Sequence, residues 1–144
     1  MQNFNSGWEF SNEINEGIEA LNNTDLNWRM LDLPHDWSIE DLPVSKDEVT
    51  VTSNSVGPFS PKSPGGPSTG HVLGGIGWYR KQLFVPKENV GKKVYLYFEG
   101  VYNRSEVFVN GVSLGKRPNG YISFMYDATP HLKYGEENLI AVRV

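Results

Sequence analysis

The pattern of apolar and polar positions changes character at Trp78. From there to Val144, short apolar runs are cut at regular intervals by turn residues, a spacing that predicts the strands of a sandwich or barrel. Trp78–Val85 reads as one strand, ended by Pro86, which lacks a backbone donor. In residues 94–100, Val94, Leu96 and Phe98 alternate with Tyr95, Tyr97 and Glu99, so the first set is expected to face a core. Apolar runs at 106–109 and 112–114 flank Asn110-Gly111. Such a pair predicts a two-residue hairpin turn, because both of its positions take positive φ. A last strand is expected over 139–144, with Ile140, Val142 and Val144 on its inner side, after a polar turn over 135–138. The sequence stops inside that strand, as a fragment of a longer protein would.

The first half is less regular. A short strand is expected at Trp8 to Phe10, a helical turn around residues 13–21, and a buried stretch through Trp28, Leu31 and Leu33. Between Gly57 and Gly77, 11 of 21 residues are Gly or Pro, which removes donors and adds backbone freedom, so one long loop is predicted. Loops of that length often carry function. No internal repeat or heptad is visible.

Composition narrows the class. A chain of 144 residues suits a single domain with one real core, and its 15 Gly and 9 Pro favour a turn-rich, all-β fold. The net charge of -4 with scattered Lys and Arg argues against nucleic acid as a partner. The longest apolar run, Val94 to Phe98, is far short of the ~20 residues that span a bilayer, so no membrane role is expected. Cysteine is absent, which excludes disulfides, thiol nucleophiles and thiolate metal sites. The polar start, Gln2, Asn3 and Asn5, is unlike a secretion signal; a periplasmic or secreted location fits if such a signal has been removed.

Candidate chemistry is sparse. The acidic pairs Glu40-Asp41, Asp47-Glu48 and Glu136-Glu137 lie in polar, turn-like stretches and read as solvated surface. His35, His71 and His131 are 36 and 60 residues apart, without metal-ligand spacing, so no metal site and no cofactor is expected. His35 and Asp36 could pair, but Pro34-His35-Asp36 reads better as a turn in which the Asp36 side chain accepts a backbone N–H. His71, inside the Gly-rich loop, is the histidine expected to meet a ligand. Exposed aromatic faces beside polar groups are the general make-up of a surface that meets a small ligand. Trp8, Trp28, Trp37 and Trp78 occupy core-like positions, whereas Tyr102-Asn103-Arg104 and Asn119-Gly120-Tyr121 lie between strands and are the better presented surface.

Several segments, in order, resemble the sugar-binding N-terminal domain of family 2 glycoside hydrolases, which include β-galactosidases, β-glucuronidases and β-mannosidases. They are Gly7-Trp8-Glu9-Phe10, Leu31-Asp32-Leu33-Pro34-His35-Asp36-Trp37, Gly74-Gly75-Ile76-Gly77-Trp78-Tyr79-Arg80-Lys81, Phe98-Glu99-Gly100-Val101 and Glu106-Val107-Phe108-Val109-Asn110-Gly111, followed by Gly115, Gly120-Tyr121 and residues 127–132. The wording at residues 33–37 and 74–80 is most similar to the β-galactosidase branch. Residues 49–68 carry more Ser, Pro and Thr than the shorter loop of the family.

The resemblance implies one jelly-roll β-sandwich over 1–144, akin to galactose-binding domains. It also implies that the two catalytic carboxylates lie in a later barrel, leaving no catalytic residue here. The domain would brace that barrel and lend residues 64–77 to its sugar pocket, with the parent's other domains and a carbohydrate as partners. His71, Gly74, Gly75, Asn119 and Tyr121 are the expected substrate-binding residues. An independent carbohydrate-binding module and a purely structural sandwich remain alternatives.

Overall fold

A computed structural model describes residues 2–13, 17–18, 21, 27–40, 72 and 74–144. The chain divides into two compact units, one of Met1–Leu33 with Ile76–Val144 and one of Pro34–Gly75. Among the described residues the first unit holds eight strands: β1 (Trp8–Ser11), β2 (Arg29–Leu31), β3 (Trp78–Val85), β4 (Tyr95–Phe98), β5 (Ser105–Val109), β6 (Val112–Arg117), β7 (Phe124–Asp127) and β8 (Glu136–Arg143). They form an antiparallel six-stranded sheet in the order β2-β1-β3-β8-β5-β6 and a two-stranded sheet, β4-β7. The protein is all-β, in keeping with a jelly-roll sandwich, and its only helical elements among the described residues with assigned bounds are short 3-10 turns.

Side-chain alternation gives the large sheet two different faces. Tyr79, Val142 and Val107 stand in one cross-strand row, with Ile140 and Val109 in the next, and all five are buried. The β4-β7 sheet covers this face. Gly115, paired with Val107, sits against Tyr126 of β7, and the Arg117 guanidinium lies 5.6 Å from the Phe124 ring centre. Leu96 and Phe124 are buried, and Phe98 stacks on Phe124 with ring centres 5.0 Å apart.

The opposite face of the large sheet carries Trp78, Ala141 and Phe108, which form a second cluster with Leu21, Ile18, Trp28 and Ile76. Arg80 ties the covering segment down: its guanidinium lies 3.9 Å from the Trp28 ring centre, its Nε donates to Glu9 at 2.6 Å, and it bonds the Leu21 carbonyl. Both faces of β8 are therefore covered, which is why Ala141 is buried as well as its neighbours Ile140 and Val142.

β3 has the bounds its sequence predicts, and Asn110 and Gly111 take φ of 49° and 86° in the expected hairpin. β8 begins earlier than expected, at Glu136. Residues read as a polar turn instead extend the ladder, with Glu136 and Glu137 paired to Val85 and Phe84 and exposed at its solvated end. Strand β7 was not visible in the sequence, having four residues and a single buried side chain, Phe124. Most of residues 13–21, where a helical turn is expected, and most of the Gly- and Pro-rich stretch lie outside the described residues.

Candidate functional site

The β6–β7 connection and the segment after β4 form one surface. Asn119 Oδ1 accepts the Tyr121 N–H at 2.8 Å, an Asx turn that fixes the backbone just before Tyr121. Tyr121 is 83% exposed and meets Tyr102, itself 66% exposed, edge to face with ring centres 5.4 Å apart. Gly120 makes this approach possible. A Cβ there would come within 2.5 Å of Tyr102 Cδ2 and 2.8 Å of its Cα, so a side chain at position 120 would push the two segments apart. Asn119 and Tyr121, both singled out by sequence, are thus brought beside Tyr102 with little apolar cover. The result is two aromatic rings next to an amide in solvent, the combination that can meet the C–H patches and hydroxyls of a sugar.

The second unit contains the other described candidates. Trp37–Ile39 is a 3-10 turn whose N-cap, Asp36, accepts from the Ser38 N–H at 3.0 Å and the Ser38 hydroxyl at 2.6 Å. This is the turn expected from Pro34-His35-Asp36. His35, which the sequence offered to Asp36, instead pairs with Glu40 at 2.8 Å, because the Asp36 carboxylate is already committed to the turn. Gly75 has a φ of 153°, and a Cβ on it would stand 3.3 Å from the Trp37 ring. A positive φ and an indole against the backbone both demand glycine there. Gly74 has open space at its Cα and is exposed. His71 lies outside the described residues.

Trp37 and Trp28 are half-buried, whereas Trp8 and Trp78 are buried as expected. Glu136 and Glu137 project from the start of β8 into solvent. One arrangement escaped sequence reasoning: Trp78, Arg143, Glu106 and Lys116 stand in a single cross-strand row on four strands. Its signal is distributed over residues up to 65 positions apart, and only the register brings them together.

An all-β sandwich with an aromatic and amide surface is the architecture of many sugar-binding modules, and sequence comparison identifies which one this is. The chain belongs to the family described as Glycosyl hydrolases family 2, sugar binding domain, which matches residues 1–144. It is 48% identical over 143 residues to β-galactosidase BoGH2A of Bacteroides ovatus, covering 98% of this chain and 15% of that protein. It is 37% identical over 143 residues to a β-glucuronidase of Formosa agariphila, covering 99% of this chain and 13% of that one. Among solved structures, a β-glycosidase from Bacteroides vulgatus superposes with a TM-score of 0.69 at 43% identity, over 99% of this chain and 16% of that chain. The chain therefore spans only a small part of the length of these relatives.

Proposed function

We propose that the chain acts as the single, noncatalytic N-terminal domain of a family 2 glycosidase, bracing a catalytic barrel and contributing surface to its sugar pocket. The observation that carries this reading is the exposed Tyr102–Tyr121 pair beside Asn119, aromatic surface that the domain itself does not bury. The named relatives are a β-galactosidase and a β-glucuronidase, which supports a β-linked glycoside as the substrate of the parent enzyme. In this reading residues 64–77, with His71, Gly74 and Gly75, reach the pocket, and Asn119 and Tyr121 line its approach or the seam with the neighbouring domain.

The isolated chain is expected to hydrolyse no chromogenic galactoside or glucuronide, and measurable turnover by it would sink the proposal. In the full-length enzyme, Tyr121→Ala and His71→Ala are expected to raise KM more than they lower kcat. The exposed tyrosines also favour a second reading, an independent carbohydrate-binding module. Calorimetric titration of the isolated chain with galactose, glucuronic acid and mannose separates the two, since binding at millimolar level or tighter that Tyr121→Ala abolishes supports the module.

A further inference from the structure

The sequence contains two Asn-Gly steps, Asn110-Gly111 and Asn119-Gly120. Such a step is open to attack from within, because glycine has no side chain to shield its amide nitrogen or to restrain its backbone. That nitrogen can add to the carboxamide carbon of the asparagine before it. Where the asparagine side chain is held decides whether it does, and the two sites hold theirs differently.

Asn110 sits in the tight β5–β6 turn with its side chain directed at β8. Its Nδ2 donates to the His131 carbonyl and to Asn138 Oδ1, and its Oδ1 accepts the Leu139 N–H. These bonds must break before the carboxamide can swing onto Gly111, which lowers the reactive population by about a hundredfold. Asn119 is exposed and lies in the β6–β7 connection, outside either sheet. Its Oδ1 accepts the Tyr121 N–H at 2.8 Å, and the ring closed by that bond contains the Gly120 nitrogen. The bond therefore folds the carboxamide over the nitrogen that attacks it. It also sets a backbone donor on the oxygen that gains negative charge during the attack.

We infer that Asn119 is a site of spontaneous modification, converting to aspartyl and isoaspartyl forms while Asn110 is preserved. The Gly120 nitrogen gives up its proton to solvent and bonds to Asn119 Cγ. The Cγ–Nδ2 bond then breaks, and the amide nitrogen takes a proton from water and leaves as ammonia. A second bond-breaking step, addition of one water, opens the resulting five-membered imide on either side of the Gly120 nitrogen. Opening at Cγ restores the main chain with a carboxylate side chain; opening at the main-chain carbonyl leaves the chain running through Cγ. The sum is one water consumed and one ammonia released, with no oxidation or reduction.

Either product replaces an amide that donates by a carboxylate that only accepts, beside the Tyr102–Tyr121 pair. The isoaspartyl form also lengthens the main chain by one methylene next to Gly120, where an added Cβ alone would come within 2.5 Å of Tyr102. The tyrosine contact is therefore lost in that form. The chemistry holds whether or not this surface meets a sugar.

The test is incubation of the chain at mildly alkaline pH, in buffer and in urea, followed by tryptic mapping. Cleavage after Arg104, Lys116 and Lys133 puts Asn110 and Asn119 on separate fragments, 105–116 and 117–133, each with no other carboxamide side chain. In buffer, fragment 117–133 should acquire the small mass gain of an amide becoming an acid at least about tenfold faster than 105–116. In urea the two rates should converge, because the clamp on Asn110 is gone. Asn119→Gln should abolish the gain in 117–133 on the same time scale and leave 105–116 as before. In the separated isoaspartyl form the ring-to-ring proton contact between Tyr102 and Tyr121 should vanish, and in the aspartyl form it should persist. Equal rates at the two steps in buffer, no gain in 117–133 while urea produces one, or a tyrosine contact kept in the isoaspartyl form would overturn the inference.

Discussion

The side-chain amides of Asn110 and Asn138 meet at 2.8 Å, joining the turn of the β5–β6 hairpin to the start of β8. Asn138 is completely buried, and its Oδ1 also accepts the Lys133 N–H at 2.7 Å while its Nδ2 donates to the carbonyls of Lys133 and Glu136 at 2.9 and 3.1 Å. Asn110 completes the clamp by donating to the His131 carbonyl at 2.8 Å and accepting the Leu139 N–H at 3.0 Å. Replacing Asn138 by Leu removes one side chain and strands several buried backbone groups. The expected cost is about 2–4 kcal/mol. A lower urea midpoint at an unchanged m-value would establish it.

Gly115 sets the distance between the two sheets. Its φ is 139°, and an added Cβ would stand 3.0 Å from Tyr126 Cε1. Gly115→Ala is expected to destabilise by about 1–3 kcal/mol through overpacking and backbone strain together. Combining it with Tyr126→Leu, which withdraws the ring, should cost less than the sum of the two single changes. Simple additivity in that double-mutant cycle would refute the close-approach account.

Asp127 links stability to pH at the end of β7. Hydrogen bonding to Thr129 is the main reason its carboxyl titrates below the usual 3.8, and Lys93, at 3.0 Å, adds to the effect. The same contact holds Lys93 above its usual 10.5. A carboxylate with a lowered folded-state value contributes stability above its unfolded value, and that contribution is lost as pH falls through the folded one. A raised lysine contributes below its unfolded value and loses this as pH rises through the folded one. Asp127→Asn should therefore be less stable than the parent chain at neutral pH, with the difference disappearing well below pH 3.8. Salt should reduce the Lys93 share more than the Thr129 share, because the ammonium is exposed. Thermal unfolding across pH at two ionic strengths checks both statements.

Tyr121→Ala separates surface from scaffold. The ring is exposed, and its aromatic contact among the described residues is with the equally exposed Tyr102, so unfolding free energy should change by no more than about 0.5 kcal/mol. A larger loss would mean that the tyrosine pair holds the β6–β7 connection in place rather than presenting itself to a partner.

What could be read from the sequence followed from local chemistry. Trp78–Val85 carries strand-forming residues up to a proline, and Asn110-Gly111 specifies its turn, so both appear as expected. Leu96 faces inward on the period-two pattern. Elements fixed by distant partners were harder. Glu136 and Glu137 look like a turn until β3 supplies the opposite strand, and Phe124–Asp127 is too short to show a period. The candidate surface divided in the same way. Asn119 and Tyr121 were visible as polar and aromatic residues between strands, but their neighbour Tyr102 is set by Gly120, whose importance depends on a contact 18 positions away. The His35–Glu40 pair was missed because Asp36, the nearer acid, is occupied in its own turn.

The irregularity in β6 has a further consequence for how copies of this chain behave toward one another. β6 is an outer strand of the large sheet, and its pairing with β5 slips between Val107 and Phe108 before running on to Lys116 and Arg117. A straight, apolar margin would be a template on which a second molecule could lay its own backbone. Here the slip breaks the regular spacing of the strand's backbone, and charged side chains follow it at Lys116 and Arg117. The same glycine-bearing strand that lets the sheets close upon each other is thereby a poorer template for pairing between copies.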